Sequence, residues 1–182
     1  MNYVQPIRDS NIVRDLVNYF KERNERDYIM FLLGIYGGRR ISDILGLRVK
    51  DVKDKDRMTI KEKKTGKTIT LDFNPELKRA LKEYCKNRNP EEYLIKSTRG
   101  INKPITRQAA YDILNKAAKK FGLDQIGTHT MRKTFGYNLY YASKKNVVLV
   151  MNALQHSSES ITLRYIGITG EQVNDAIKSL KY

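Results

Sequence analysis

The chain has 182 residues, with 35 Lys+Arg against 20 Asp+Glu, a formal charge of +15 and a pI near 9.8. That length fits one domain with a proper core, the single Cys85 excludes an internal disulfide, and the charge predicts a polyanionic partner held in a salt-sensitive way. The start MNYVQPIRDS is polar and the apolar run Tyr28 to Tyr36 is too short to span a bilayer, so a cytoplasmic protein with no membrane partner is expected.

In chain order, Ile12, Val13, Leu16, Val17 and Phe20 recur at helical spacing between Asp9 and Arg23, with Ser10 as the N-cap. Tyr28 to Tyr36 is apolar on every side, which predicts a central buried helix. Gly37-Gly38 ends it, because glycine accepts left-handed geometry, and Ile41, Ile44 and Leu45 continue as a short helix. From Leu47 to Leu71 the period becomes two: Met58 and Ile60, then Ile69 and Leu71, alternate with polar residues around turns at Asp54-Lys55-Asp56 and Thr65-Gly66. A small antiparallel sheet is expected there. After Pro75 helices return at Glu76 to Asn87, Thr106 to Phe121, Thr128 to Ala142, Asn146 to Leu154, Ser158 to Tyr165 and Glu171 to Leu180, with a short strand around Tyr93 to Lys96. Cys85 shares a helix face with Leu77, Leu81 and Tyr84 and reads as a small buried apolar residue. The fold class is therefore mainly α with one small antiparallel β-sheet.

Chemistry gathers at a few positions. Arg39 and Arg40 open a short helix, where backbone N–H groups favour an anion, and Asp43 lies on the same face to orient the second guanidinium. The stretch from Arg39 to Lys67 holds 11 Lys+Arg against 5 Asp+Glu. Among its lysines Lys64 sits in a Lys-Thr-Gly-Lys turn, with Lys61, Lys63 and Lys67 as competitors for the same role. His129 and Arg132 are spaced to share one helix face. His156 precedes Tyr165 by nine residues in LQHSSESITLRYIG. A tyrosine hydroxyl, with an ordinary pKa of about 10, becomes a nucleophile when a base takes its proton and cations hold the developing charge. Arginine suits phosphate because its planar fork holds two oxygens and keeps its charge. With no metal-ligand cluster beside them, these residue types point to phosphoryl transfer on a polyanion.

The joint pattern resembles the tyrosine recombinases, or phage-type integrases, over Pro6 to about Leu180. Gly37-Gly38-Arg39-Arg40-Ile41-Ser42-Asp43 stands where that family shows Thr-Gly-Leu-Arg-Ile-Ser-Glu, a register that selects Arg40 over Arg39. The Lys-Thr-Gly turn selects Lys64. His129-Thr130-Met131-Arg132-Lys133-Thr134-Phe135 is similar to His-x-Leu-Arg-His-Thr-Phe, and His156-Ser157-Ser158 with Tyr165 is similar to Gly-His-Ser-Ser leading to the nucleophile. The departures are Gln155 for glycine, which bears on the turn presenting His156, Met131 for leucine, Lys133 for a frequent second histidine, Gly37 for threonine and Asp43 for glutamate.

The resemblance implies a mechanism on double-stranded DNA that needs neither metal nor ATP. Tyr165 attacks a phosphodiester and forms a 3′-phosphotyrosyl bond. Arg40, Arg132 and His156 hold the non-bridging oxygens, Lys64 protonates the leaving 5′ oxygen, and His129 helps remove the tyrosine proton. Arg39 is expected to serve binding. The rival expectations are a catalytically silent DNA-binding regulator and a nicking-closing enzyme of topoisomerase IB type. Residues 1–182 are expected to be a single catalytic domain without the family's N-terminal core-binding domain. The chain is expected to be a monomer in solution and a higher-order assembly on DNA, with Val173, Ile177 and Leu180 of the last helix making a contact in trans.

Overall fold

Every backbone polar group of the central helix must be satisfied within the fold, and its sequence is organised to allow this. In the computed structural model, which describes residues 4–62, 66–124, 126–168, 177, 178 and 180, Asn24 closes α1 (Ser10–Arg23) and opens α2 (Glu25–Gly37). Its side chain accepts from the Asp27 N–H, so one asparagine serves both helix ends. Ile29, Met30, Phe31, Leu32, Leu33 and Ile35 of α2 are all buried, as expected of a helix without a polar face. Around it pack α1, α4 (Pro75–Cys85) and α6 (Thr128–Ala142).

The α2–α6 crossing is close because Gly34 has no side chain. A Cβ there would lie 2.5 Å from the Met131 sulfur, so Met131 fills the space a larger residue in α2 would take. Gly38 then ends α2 in the left-handed region, at φ 60°, with the Phe135 ring directly against it. These two contacts fix where Arg132, between Met131 and Phe135, meets the end of α2.

The sheet is smaller than the expected span from Leu47 to Leu71. Only β1 (Arg57–Lys61) and β2 (Thr68–Asp72) pair, antiparallel, with Met58 opposite Leu71 and Ile60 opposite Ile69. Met58 and Ile60 face the core while their neighbours face water. Upstream, α3 (Ile41–Ile44) leads to a 3-10 turn at Val49–Asp51. There Val49 N–H donates to Glu92 O and Leu94 N–H to Leu47 O. The expected strand near Tyr93 to Lys96 is thus reduced to two isolated bridges, Arg48 with Tyr93 and Lys96 with Pro104. Cys85 is buried in the core, and burial pushes its thiol up to about 11.

Helix α5 (Arg107–Lys120) packs on α1, α3 and α6. The C-terminal half forms a second small core, in which Val150 and Leu154 of α7 (Val147–Leu154) meet Ile166 just beyond α8 (Glu159–Tyr165). Gly136 lets α6 approach this pair closely, since a Cβ there would fall 2.8 Å from Ile166 and 2.9 Å from Leu154. The chain's start is tied to the same region: Ile7 N–H donates to Thr134 Oγ1 and Arg8 donates to Gly167 O at 3.0 Å. Of the last helix, Val173 lies outside the described residues, and Ile177 and Leu180 are exposed. Among the described residues no helix is long and apolar enough to cross a membrane.

Candidate active site

The C-termini of α2 and α7 point at each other, and each leaves carbonyls without a partner in its own helix. Two buried arginines bridge them. Arg39 donates to Gly37 O at 2.9 Å and to Ala153 O at 2.5 Å, and Arg132 donates to Gly38 O at 2.8 Å and Leu154 O at 2.6 Å. A cation at the negative end of a helix dipole is favourable, and here each guanidinium serves two helices at once. Both side chains are almost wholly buried, at 0% and 2% exposure.

Between them lies Glu62, just past the end of β1 and itself buried. Its Oε1 accepts from Arg39 at 3.3 Å and from Arg132 at 3.5 Å, and its Oε2 pairs with Arg40 at 2.5 Å. Glu62 N–H donates to Lys67 O and Gly66 N–H donates to Glu62 O, closing the neck of the β1–β2 hairpin. Glu62 was not among the expected site residues, although a signal existed. Met58, Ile60 and Glu62 fall on one side of an alternating strand, so the period that buried the first two also turns the carboxylate inward.

Arg40 is the N-cap residue of α3 and the one arginine of this group that reaches solvent, at 18% side-chain exposure. Arg39 is not placed for the binding role expected of it, because it has no exposed surface. Asp43, expected to orient Arg40, is buried in α3. Lys64 lies outside the described residues.

His156 follows α7 directly. Its Nδ1 lies 3.2 Å from Thr162 Oγ1, and that hydroxyl already donates to Ser158 O at 2.9 Å. With the hydroxyl proton so committed, Nδ1–H is the donor and Nε2 is left facing the site. Burial, reinforced by the charges of Arg132 and Arg40, lowers the His156 pKa to about 4. The residue between α7 and His156 is Gln155, in the left-handed region at φ 51°. Glycine is the residue that takes this conformation without cost.

Tyr165 is the last residue of α8, its ring edge-on to His156 with centroids 4.8 Å apart. Its hydroxyl is buried beside the Arg132 guanidinium, close enough to feel it but without a hydrogen bond of good geometry. Burial raises its pKa, while Arg132 and Arg40 pull in the opposite direction. Lys133, in the place of the family's frequent histidine, is buried with its ammonium 5.1 Å from the Tyr165 ring centroid. His129 sits at the solvent edge on the first turn of α6. Partial desolvation and the charges of Arg132, Arg40, Arg107 and Lys133 hold its pKa below the ordinary value.

The structure thus brings Arg40, His129, Arg132, His156 and Tyr165 to one place, and adds Arg39, Glu62, Lys133 and Thr162, which spacing did not single out. A buried hydroxyl beside two guanidiniums and an imidazole with a free nitrogen is suited to attack on a phosphodiester.

The comparisons with known proteins bear on the family and the fold. The model of the phage integrase family matches residues 8–171. The chain is 46% identical over 178 residues to a probable integrase/recombinase, YoeC, of Bacillus subtilis, covering 98% of this chain and 97% of that protein. The fold matches the crystal structure of XerA recombinase with a TM-score of 0.78 at 17% identity, over 98% of this chain and 65% of that one. It also matches a post-cleavage complex of XerH recombinase with its difH substrate, with a TM-score of 0.75 at 17% identity, over 97% and 53%. Other curated tyrosine recombinases are longer, and the chain spans 66% and 48% of two of them. The chain belongs to the phage integrase family, the tyrosine recombinases.

Proposed function

We propose that this chain is a site-specific recombinase that cleaves and rejoins duplex DNA through a 3′-phosphotyrosyl intermediate at Tyr165. The observation that carries the reading is the Tyr165 hydroxyl, buried against the Arg132 guanidinium without a well-formed hydrogen bond and flanked by Arg40. An inward-facing hydroxyl left unsatisfied costs stability, and a phosphate between it and the arginines would use it.

On a bound strand the Tyr165 oxygen forms a bond to phosphorus as the bond to the 5′ oxygen breaks. Arg40, Arg132 and His156, which takes up a proton on Nε2 as the phosphate binds, hold the non-bridging oxygens and stabilise the extra charge of the five-coordinate state. The tyrosine proton passes to His129, which is neutral at physiological pH and reachable from solvent. Lys64 supplies the proton for the departing 5′ oxygen. A 5′ hydroxyl of the partner duplex then attacks the phosphotyrosine, releases Tyr165 and completes the exchange. The chain is a monomer free in solution and assembles on DNA, where the +15 charge supplies a large, salt-dependent share of the affinity. In the 170–182 segment, Ile177 and Leu180, both exposed, make the contact between protomers.

The test is a randomised pool of nicked duplexes, from which DNA that stays attached to protein after denaturation is recovered and sequenced. Recombinase activity predicts an enriched sequence and an adduct on the Tyr165 peptide by mass spectrometry. Non-covalent binding without any adduct would instead mark a silent regulator. Relaxation of supercoiled plasmid without sequence preference would mark a nicking-closing enzyme.

A further inference from the structure

The three arginines around Glu62 differ in what else holds them. Arg39 and Arg132 each keep two helix-end carbonyls at 2.9 Å or less whether or not a carboxylate is present. Their contacts to Glu62 are the long ones, 3.3 and 3.5 Å. Arg40 is held differently, since among the described residues the partner of its guanidinium is Glu62, at 2.5 Å. The main chain of Glu62 is fixed from behind by the hairpin neck, through Glu62 N–H to Lys67 O at 2.9 Å and Gly66 N–H to Glu62 O at 2.8 Å. Arg40 is also the most exposed of the three.

We propose that Glu62 is the positioning residue of the site: it holds Arg40 in the orientation that receives the scissile phosphate, and so couples the β1–β2 hairpin to the arginine pair. This rests on the recombinase reading given above. Three guanidiniums packed together repel one another, and an arginine chain as long as that of Arg40 has many rotamers open to it. A buried carboxylate beneath it removes both obstacles. Nη1 stays paired with Glu62 Oε2 as an ion pair, which leaves the other donors of the fork uncommitted to the carboxylate. Positioning of this kind contributes to rate because the donor is already in place when charge develops on the phosphate. Arg132, anchored by backbone carbonyls, does not need it.

Two variants separate this role from simple charge balance. Glu62→Asp keeps the negative charge but withdraws the carboxylate by one methylene, and Glu62→Gln keeps the length but removes the charge. The first readout needs no DNA: side-chain NMR of 15N-arginine protein. The proposal expects slow rotation and resolved Nη protons for Arg40 in the wild type, lost in both variants, while Arg39 and Arg132 keep theirs. The second readout is single-turnover cleavage of a nicked duplex carrying the sequence recovered above. Both variants should cleave at least tenfold more slowly at saturating DNA with unchanged affinity. In an Arg40→Ala background neither should slow cleavage further.

The proposal is overturned if Arg40 rotates freely in the wild type. It is equally overturned if Glu62→Asp cleaves at the wild-type rate, the result of a purely charge-balancing role, or if the losses from Glu62 and Arg40 multiply. A wild-type protein that forms no Tyr165 adduct would sink the recombinase reading instead, and the NMR result would still decide whether Glu62 fixes Arg40.

Discussion

The imidazole of His156 stands edge-on to the Tyr165 ring, with centroids 4.8 Å apart and planes at 78°. The contact is within one chain, so the proposed nucleophile and the histidine nine residues before it form a single unit carried by the end of α7 and by α8. Changes to either residue should therefore be read for packing as well as for chemistry.

Tyr165→Phe keeps that ring contact and removes only the oxygen. Covalent protein–DNA complexes should disappear while non-covalent binding stays within about twofold. Because the deleted hydroxyl is buried without a well-formed hydrogen bond, its loss should also stabilise the free protein by about 1 kcal/mol, a rise in Tm of about 2–4 °C. Thermal melts and denaturing gels measure both. A persistent adduct would mean that another tyrosine reacts.

Arg39→Ala and Arg40→Ala should diverge. Arg39 is wholly buried and bridges α2 to α7, so its loss should cost about 3–5 kcal/mol of stability by leaving a buried carboxylate and two carbonyls short of a partner. Arg40→Ala should lose less stability, because Glu62 keeps Arg39 and Arg132 and no helix-end carbonyl is stranded, but should cleave on the order of 10² times more slowly, the usual loss of a transition-state charge donor. Equal melting temperatures for the two would contradict the buried bridge.

The histidines set a pH dependence. His156 is lowered to about 4 by burial and by Arg132 and Arg40, and His129 is also lowered by desolvation and neighbouring cations. Both lie below the unfolded value of about 6.5, so between these pH values the unfolded chain binds more protons than the folded one. Stability from these groups is complete above pH 6.5 and is lost as pH falls toward 4. Replacing His156 with Asn should flatten the Tm profile over that window, and the difference from wild type isolates its part from the carboxylates. A bound phosphate reverses the local field. DNA binding near pH 6 should therefore take up protons, visible in calorimetry as a heat that changes with the ionisation enthalpy of the buffer.

Gln155→Gly should raise the melting temperature by a few degrees, since a non-glycine residue in the left-handed region costs about 1–2 kcal/mol and the Gln155 Oε1 is buried without a hydrogen bond. Cleavage should be at least as fast as in the wild type, because His156 keeps its Thr162 contact. A lower melting temperature would show that the glutamine side chain contributes packing that outweighs the strain.

Much of this was legible in the chain itself. The helices announced themselves through apolar spacing and through glycine at Gly37-Gly38, and the site residues through their order along the chain. Arg39 was misjudged because charge along a sequence says nothing of burial, and its environment comes from carbonyls of α7 far downstream. The span from Leu47 to Asp56 was overread as strand because alternation there is interrupted, and Leu47 and Val49 instead exchange hydrogen bonds with Leu94 and Glu92 of a distant loop. Glu62 was readable from strand parity and was lost among the surrounding lysines. Thr162 is invisible without the fold, since only the turn at Ser158 explains why its hydroxyl can accept but not donate. Lys64 lies outside the described residues, and its part stands on the resemblance alone.

The bond from Arg8 to Gly167 O joins residues 159 positions apart. A ribosome making this chain releases Arg8 long before Gly167 exists, and the bond can close only after both have cleared the exit tunnel. α8 and the turn behind Tyr165 are therefore among the last parts to be secured, after α2 has already gathered its neighbours. A nascent chain stalled before Gly167 would lack this bond and hold its nucleophile unsecured, so the capacity to cut DNA is withheld until the turn behind Tyr165 has emerged.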